Sequence, residues 1–333
     1  MNILSAMHIA KSLIGYYIFG TRMPITVSYL STYTCNQKCS YCDWNSLDHL
    51  ELTTDDACKM IRSMKKAGVV KLGFAGGESL NRDDIDILLK TSHDVGLITS
   101  ISTNGKAVKK HIEEIKRYVD VVQISLDGPE KIHDSIRGAG SYRNVLEAVK
   151  LLNDNNIKFI TNTVITKKNI SSLPYILNFA KKNNSLALFQ PVFNYYISES
   201  DFIINALAPT YHEMYYAMEY LITQKKSKEN IGNSIDFLRY VQKTWNMPTE
   251  VKCRANDLFC TVDPQGYIVP CCFDSSRNEY ANTIKHGFKK AFLNNVKNDF
   301  AHKCEGCYCN AYMESNLAFS FRIKACLNAL SIV

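Results

Sequence analysis

Three cysteines at short spacing carry the first clear chemistry in this chain. Cys35, Cys39 and Cys42 stand in the segment Cys-Asn-Gln-Lys-Cys-Ser-Tyr-Cys. Thiolates are the usual ligands of iron–sulfur clusters, and this spacing lets one loop surround one cluster. Three thiolates on a four-iron cluster leave one iron open, much as catalytic zinc sites keep one position free. A zinc site is the alternative, with His49 as the nearest fourth ligand.

Three polar segments follow downstream, each directly after an apolar run. They are Gly76-Gly77-Glu78, Ser102-Thr103-Asn104-Gly105 and Ser125-Leu126-Asp127-Gly128. Glycines permit close backbone approach, and a carboxylate can accept hydrogen bonds from an ammonium group. Hydroxyl, amide and carboxylate groups suit a ribose and an amino-acid head. Taken singly, each segment is also explained as an ordinary turn, because Asn-Gly and Asp-Gly favour turns.

The elements that position these groups alternate along the chain. Apolar runs bounded by turn residues predict strands at 25–33, 70–75, 98–103, 121–126, 159–165 and 186–192. Helical periodicity between them predicts helices at 54–67, 83–95, 109–118, 141–153 and 173–182. Strands that alternate with helices imply an α/β fold with a parallel sheet. Six such units are too few for a closed eight-stranded barrel, so we predict an open partial (β/α)6 barrel.

The last third of the chain holds a second group of cysteines. Of the 12 cysteines in the chain, eight follow residue 250: Cys253, Cys260, Cys271, Cys272, Cys304, Cys307, Cys309 and Cys326. Pro264 and Gly266 suit a tight hairpin turn that would bring Cys253 and Cys271 together on adjacent strands. The later Cys304-Glu-Gly-Cys307 segment can complete a site of four thiolates, and structural zinc uses the same ligand set.

The first cysteine segment and the three polar segments resemble the radical S-adenosylmethionine (SAM) superfamily. The resemblance covers about residues 24–192 and includes Tyr41, the aromatic residue before the third cysteine. It also includes the segment His133-Asp-Ser-Ile-Arg137-Gly, whose arginine would pair with the SAM carboxylate. A surface arginine is the alternative for Arg137. Ser79 stands where many members have proline, which leaves Glu78 available for the SAM amino group.

The resemblance implies a cofactor set and a chemistry. A [4Fe–4S] cluster on Cys35, Cys39 and Cys42 would hold SAM by its amino and carboxylate groups. An electron delivered by a low-potential donor such as flavodoxin or ferredoxin would cleave SAM to methionine and a 5′-deoxyadenosyl radical. That radical would remove a hydrogen atom from an unactivated C–H bond. The SAM-binding residues implied by the motifs are Tyr41, Gly76, Gly77, Glu78, Ser102, Thr103, Asn104, Ser125, Asp127 and Arg137.

The C-terminal cysteines resemble the SPASM and twitch subdomains that hold auxiliary [4Fe–4S] clusters in many of these enzymes. The run from Cys307 to Cys309 and Cys326 departs from the spacing of the two-cluster form. We therefore expect the twitch form, with one cluster held by Cys253, Cys271, Cys304 and Cys307. Cys260, Cys272, Cys309 and Cys326 stay open as further thiols or as ligands of a second cluster.

The implied organisation has four parts. Residues 1–22 form an apolar helix, 23–195 the partial barrel, 196–250 a helical connector, and 251–333 the auxiliary-cluster domain. The connector carries an apolar stripe at helical spacing that suits core packing.

Composition narrows the class of protein and its location. The chain has 333 residues with 39 basic and 32 acidic side chains, and it lacks a stripe of cations interleaved with aromatics. We therefore expect no nucleic-acid partner. Residues 1–20 are too short and too polar for a confident membrane span, and they lack the features of a signal peptide. We expect a cytoplasmic protein whose first helix packs on the domain, with peripheral membrane contact as the alternative.

The substrate is inferred from the same N-terminal region. Only some 30 residues precede Cys35, which is too few for a domain that binds the leader of a precursor peptide. We therefore expect a small-molecule, sugar or lipid substrate. The alternatives are a peptide-modifying maturase and a non-catalytic metal-binding protein. The reaction class stays open between oxidation and the formation of a C–C or C–S bond.

Overall fold

The computed structural model describes residues 3–47, 50–193, 206–247, 253–269, 279–295 and 307–320. In these ranges eight strands form one sheet in the order β6-β5-β4-β3-β2-β1-β7-β8. The strands are β1 (Thr26–Thr32), β2 (Lys71–Gly76), β3 (Ile98–Thr103), β4 (Val121–Ser125), β5 (Phe159–Ile165), β6 (Leu186–Pro191), β7 (Phe259–Val262) and β8 (Ile268–Val269).

The helices of the described ranges connect and cover these strands. They are α1 (Ile3–Phe19), α2 (Thr54–Lys66), α3 (Ile85–Asp94), α4 (Ile112–Tyr118), α5 (Glu130–Arg137), α6 (Ser141–Asp154), α7 (Leu173–Lys182), α8 (Tyr211–Lys226), α9 (Ile235–Thr244), α10 (Thr283–His286), α11 (Phe288–Asn294) and α12 (Asn310–Phe319).

The sheet confirms the predicted open barrel. Strands β6 to β1 pair parallel with their neighbours, and helices separate them along the chain. The pairing ends at β6 on one side and at β8 on the other, so the described strands do not close into a ring. Short helix α5, inside the segment that carries Arg137, is an element that the sequence pattern did not predict.

The cysteine-rich region contributes to the same sheet. Strand β7 pairs parallel with β1, from Thr26 opposite Phe259 to Tyr29 opposite Val262. The predicted hairpin then turns between Asp263 and Gly266: the Gly266 N–H donates to the Asp263 carbonyl at 3.0 Å, and Gly266 has a φ of +82°. The domain boundary at residue 250 stays a prediction, but hydrogen bonding of the sheet continues across it.

Helix caps and apolar stripes explain the helices locally. Thr53 caps α2 by accepting from the Asp56 N–H at 3.3 Å. Thr210 and Glu213 form a reciprocal capping box at the start of α8. The buried face of α8 contains Met214 and Met218, as the connector stripe predicts.

Strand pleating separates a helix-facing side of the sheet from the interior of the barrel. Val27, Leu72 and Ile124 point to the helices and are fully buried in the largest apolar cluster. The alternate residues point to the interior and pair by register across the strands. We call these the lumen face. Near the start of the strands it comprises Lys71, Ile98, Val121, Ile160 and Leu186, and further along them Ser28, Gly73, Ser100, Ser102, Gln123, Ser125, Asn162, Val164, Leu188 and Gln190.

Helix α1 packs where the strands begin. Ile9, Leu13 and Tyr16 contact the apolar cluster that contains Ile25 and Val70. This agrees with the expectation that the first helix packs on the domain. Among the described residues, no helix is both long enough and apolar enough to span a bilayer.

Candidate active site

The cysteine loop follows β1 and is held by one asparagine. The Asn45 Oδ1 accepts from the Cys35 N–H at 2.8 Å, and its Nδ2 donates to the carbonyls of Cys35 and Gln37. The Cys42 N–H donates to the Cys39 carbonyl at 3.0 Å. Sequence reasoning missed Asn45. The only sequence signal for this residue is its position three residues after Cys42. Its three hydrogen bonds fix the conformation of the loop.

The three thiols fit a multinuclear cluster better than a single ion. Desolvation raises the pKa of each thiol, that of Cys42 to about 12, and the charge of Cys39 raises the pKa values of Cys35 and Cys42 further. One tetrahedral zinc ion needs thiolates about 3.8 Å apart. The only described trio of candidate ligand atoms within 4.8 Å of one another lies elsewhere, at Asp86, His111 and Glu114. A wider cationic group, such as an iron–sulfur cluster, suits the cysteines.

The turn after β2 lies directly against the cysteine loop. The N–H groups of Gly77 and Glu78 donate to the carbonyls of Thr32 and Thr34, at 2.8 and 2.9 Å. A Cβ at Gly77 would lie 2.6 Å from the Tyr33 carbonyl oxygen and nearer still to that of Thr34. Glycine is therefore required here by close backbone approach.

Glu78 is a buried carboxyl group that accepts hydrogen bonds from two backbone N–H groups and from the Thr103 side chain. It is 1% exposed and accepts from the N–H of Asn104 at 2.7 Å and from that of Leu80 at 3.3 Å. Burial raises its pKa to about 7, although these hydrogen bonds and the charge of Arg137 act in the opposite direction. A ligand that donates hydrogen bonds or carries positive charge would therefore favour the ionised carboxylate. Ser79, the departure from proline, donates to the Ala75 carbonyl at 3.0 Å and leaves Glu78 in place.

The strand β3 motif is joined to the cysteine loop by an asparagine pair. The Asn104 Nδ2 donates to Asn36 Oδ1 at 2.7 Å, and Asn36 donates onward to Asn81 Oδ1 at 3.0 Å. Thr103 accepts from the Gly105 N–H at 3.1 Å and shapes the turn. Asn36 lies inside the Cys-x3-Cys spacing, so its closeness to the site could have been read from the sequence.

Ser102 and Ser125 are half-buried on the lumen face, whereas Thr103 and Asn104 are buried. Within the described ranges no residue forms a hydrogen bond with either side chain. Their hydroxyls are therefore available to a bound molecule.

Arg137 lies inside the site, not on the surface. It is 8% exposed, and its Nε donates to Asp127 Oδ2 at 2.6 Å. Its Nη2 donates to the Tyr41 hydroxyl, and its Nη1 is 3.9 Å from Cys39 Sγ. The surface-charge alternative is therefore wrong. The expected pairing with a SAM carboxylate stays a prediction, since two of its three nitrogens are bonded to Asp127 and Tyr41 and the third contacts Cys39 Sγ.

Asp127 is the fixed counterion of this arginine. It is fully buried, and its Oδ1 accepts from the Val164 N–H at 2.9 Å. The Tyr41 hydroxyl donates to its Oδ2 at 3.0 Å, and its own N–H donates to His133 Nδ1 at 3.1 Å. Burial lowers the pKa of His133 to about 4, so this imidazole is neutral at pH 7. The triad of Tyr41, Asp127 and Arg137 thus ties the fourth strand to the cysteine loop.

Part of the second cysteine group lies in the described ranges. Cys253, Cys307 and Cys309 pack in the same apolar cluster, beside α1. Cys260 is 1% exposed in the helix-facing core, and Cys58 lies in that core too. The remaining cysteines fall outside the described residues: Cys271, Cys272, Cys304 and Cys326. His49, the candidate fourth zinc ligand, also falls outside them.

Gln190 connects the second cysteine group to the barrel. Its Nε2 donates to the Tyr308 carbonyl at 2.8 Å, and its Oε1 accepts from the Asn310 N–H at 2.6 Å. These contacts fix the segment that runs from Cys307 to Cys309 against the end of β6. Sequence reasoning missed Gln190 because nothing local distinguishes it from other strand residues.

Comparisons with known proteins agree with this geometry. A family model described as "Radical SAM superfamily" matches residues 29–180. The AdoMet-dependent heme synthase of Methanosarcina barkeri is 26% identical over 276 residues, covering 75% of this chain and 77% of that protein. The mycofactocin maturase MftC of Mycobacterium tuberculosis is 27% identical over 273 residues, covering 78% and 68%.

A shorter match and a solved structure complete these findings. The PqqA peptide cyclase of Bradyrhizobium diazoefficiens is 30% identical over 167 residues, which cover 47% of this chain and 43% of that protein. Among solved structures, Streptococcus suis SuiB bound to precursor peptide SuiA superposes with a TM-score of 0.67 at 19% identity. That superposition covers 91% of this chain and 75% of SuiB. At this identity the superposition supports the fold alone.

Proposed function

Because this chain is a radical SAM superfamily enzyme, we propose that it modifies a C–H bond in a peptide substrate. Its cofactors are SAM, the [4Fe–4S] cluster of the superfamily and at least one auxiliary [4Fe–4S] cluster. Bound SAM supplies a 5′-deoxyadenosyl radical that removes a hydrogen atom from the substrate. The protein binds SAM, orients both reactants and excludes competing reactions.

Relatives support a peptide over the small molecule or lipid expected from the sequence. One relative is named a peptide cyclase, and another, matched over most of both chains, is named a maturase. That expectation rested on the short segment before Cys35, which says nothing about the barrel interior. The heme synthase relative provides the competing small-molecule substrate for a test.

The lumen face is the observation that carries the proposal. Its side chains next to the SAM motifs are hydroxyls and amides, including Ser102, Gln123 and Asn162, and register places Ser102 opposite Gln123. No described residue forms a hydrogen bond with the Gln123 side chain, which is half-buried. Lys71, at the first residue of β2, is the only charged side chain that the described strands place on this face. Such a lining suits peptide amides better than heme carboxylates or a lipid chain.

The site geometry supports specific roles for the predicted residues. Cys35, Cys39 and Cys42 hold the SAM-binding cluster, and Glu78 accepts from the SAM amino group. Arg137 places positive charge beside Cys39 and presents its Nη1 side to the SAM carboxylate. Gly76, Gly77, Thr103 and Asn104 shape the backbone around the amino-acid moiety, and Ser102 and Ser125 face the ribose or the substrate.

The auxiliary cluster is assigned to Cys253, Cys271, Cys304 and Cys307. Two of the four, Cys253 and Cys307, pack in one apolar cluster, and Gln190 holds that segment against the barrel. Cys309 lies in the same cluster and is the first candidate for a further ligand. An auxiliary cluster there would accept an electron from the substrate radical or anchor the substrate.

The substrate class can be tested by isotope transfer. Anaerobically reconstituted, reduced enzyme with SAM is mixed with one of three fully deuterated pools: digested cell protein, lipids, or a small-molecule extract that contains porphyrins. The proposal predicts deuterium in 5′-deoxyadenosine from the peptide pool alone, measured by mass spectrometry. Transfer from the lipid or small-molecule pool, with none from peptides, would refute it.

A variant connects the result to the lumen face. Gln123→Leu should lower deuterium transfer from peptides at least tenfold, because it leaves substrate amides unpaired, at about 1–3 kcal/mol. Its SAM affinity should stay at the wild-type value. Gln224→Leu, on α8 away from this face, is the control and should transfer normally.

A further inference from the structure

We propose that α1 and the adjacent end of α11 form a docking surface for an anionic lipid bilayer, at the end of the barrel opposite the SAM site. The proposal concerns a surface that the peptide chemistry does not use. It rests on the apolar residues that α1 leaves exposed, and on a cationic cavity next to them.

Helix α1 is apolar on two opposite sides. Ile9, Leu13 and Tyr16 face the protein. Met7, Ile14 and Ile18, spaced seven and four residues apart, fall within about 40° of one another on a helix of 3.6 residues per turn. Their exposed fractions are 63%, 54% and 68%, and Phe19 at the helix end is 74% exposed. We call these four residues the apolar stripe.

An exposed apolar stripe of this kind is expected to bind another molecule or a membrane. Water-facing sides of helices normally carry charged or polar residues, and contiguous exposed apolar patches mark interaction sites. Helix α1 contains no acidic residue, and its one lysine, Lys11, lies within the stripe. A lysine in that position can bury its stem and extend its ammonium to the interface.

A cationic cavity lies beside the end of the stripe. Arg22, three residues after Phe19, donates to the carbonyls of Phe292 and Leu293 and so fastens the segment that follows α1 to α11. Leu293 is 43% exposed and also lines a cavity of about 450 Å³. The cavity is lined by three lysines and a histidine: Lys66, Lys289, Lys290 and His286.

Electrostatic repulsion distinguishes the two candidates for binding this surface, a lipid bilayer and a second copy of the chain. A bilayer that contains anionic lipids offers apolar depth to the stripe and phosphates to the lysines. A second copy placed symmetrically over the stripe would bring its own lysines towards the same three cations, which repel. The geometry therefore favours a lipid surface over self-association.

The position of the docking surface is compatible with a substrate that reaches the SAM site from water. Helix α1 packs against the first residues of the strands, whereas the cysteine loop and Glu78 follow their last residues. Bilayer docking would therefore leave the SAM site open to water.

Vesicle binding tests the proposal with the full-length, reconstituted protein. Co-sedimentation is measured with vesicles of phosphatidylcholine alone and of phosphatidylcholine with phosphatidylglycerol at about 3:1. Wild type should partition at least tenfold more strongly into the anionic vesicles, and the difference should shrink as salt rises. The double variant Ile14→Asp/Ile18→Asp should lose binding to both compositions. Lys289→Glu/Lys290→Glu should lose only the preference for phosphatidylglycerol.

The matched control is Ile87→Asp on α3, an isoleucine exposed to a similar extent, at 53%. It should bind vesicles as wild type does. All substituted side chains are exposed, so iron content and circular dichroism should match wild type. Wild-type protein that stays in the supernatant with both compositions overturns the proposal. So does equal binding by the stripe variant, or a shift from dimer to monomer in that variant by sedimentation without lipids.

Discussion

Replacing Glu78 by glutamine should change how SAM affinity depends on pH. With its pKa raised to about 7 by burial, Glu78 is about 90% ionised at pH 8 and only about 10% ionised at pH 6. The ionised form is the better acceptor for the SAM amino group, and a charge-assisted contact contributes about 1.5–3 kcal/mol. At pH 8, Glu78→Gln should therefore bind SAM about ten- to a hundredfold more weakly than wild type.

The quantity to measure is the SAM affinity of wild type divided by that of Glu78→Gln. Because the folded pKa is raised, the ionised contact is present above about pH 7 and is lost as the pH falls through that value. The advantage of wild type over Glu78→Gln should therefore shrink about tenfold between pH 8 and pH 6. SAM itself also titrates, and so does buried Glu314, whose pKa is about 7. Both effects are the same in wild type and in Glu78→Gln, so they cancel in the ratio of the two SAM affinities.

The assay is SAM titration of the reduced cluster, followed by its electron paramagnetic resonance signal at pH 6, 7 and 8. Glu147→Gln, an exposed carboxylate on α6, is the matched control and should follow wild type throughout. A ratio that does not change with pH would refute the protonation argument. Equal SAM affinity of wild type and Glu78→Gln at pH 8 would remove Glu78 from the SAM site.

Four further predictions follow from the site. The reconstituted enzyme should bind about eight irons per chain; a value near four with zinc as the balance would defeat the auxiliary cluster, and one near twelve would indicate two auxiliary clusters. Replacing all three cysteines of the first loop by alanine should abolish 5′-deoxyadenosine release while C-terminal iron remains, and unchanged release would refute the assignment. Gly77→Ala should weaken SAM binding and lower Tm by several degrees, more than Gly73→Ala, where the added Cβ meets only the Ser100 side-chain oxygen at 3.3 Å. Arg137→Lys should lose at least tenfold in SAM cleavage because one ammonium cannot serve Asp127 and Tyr41 in the same geometry; wild-type activity would show that the guanidinium is dispensable.

Periodicity and turn chemistry were sufficient for the local elements. The bounds predicted for β3, β5 and α7 agree with the structure, because each element is a strongly patterned run ended by turn residues. Helix α5 was not predicted, although its eight residues carry an amphipathic pattern. The hairpin of β7 and β8 was expected, but the pairing of β7 with β1 was not: the two strands lie more than 200 residues apart, and no local pattern encodes such a pairing.

The same distinction applies to the candidate active site: some of its features follow from the sequence and others from the fold. By itself, the sequence determined the three cysteines, the order of the SAM motifs and the presence of a second cysteine group, since the chemistry of these residues is set by their type and spacing. Only the tertiary structure decided that Arg137 is buried against Asp127 and Tyr41, that Asn45 holds the cysteine loop, and that hydroxyls and amides line the lumen face next to the SAM motifs. Those properties depend on burial, register and contacts between distant segments, which arise only when the strands are brought together in one sheet.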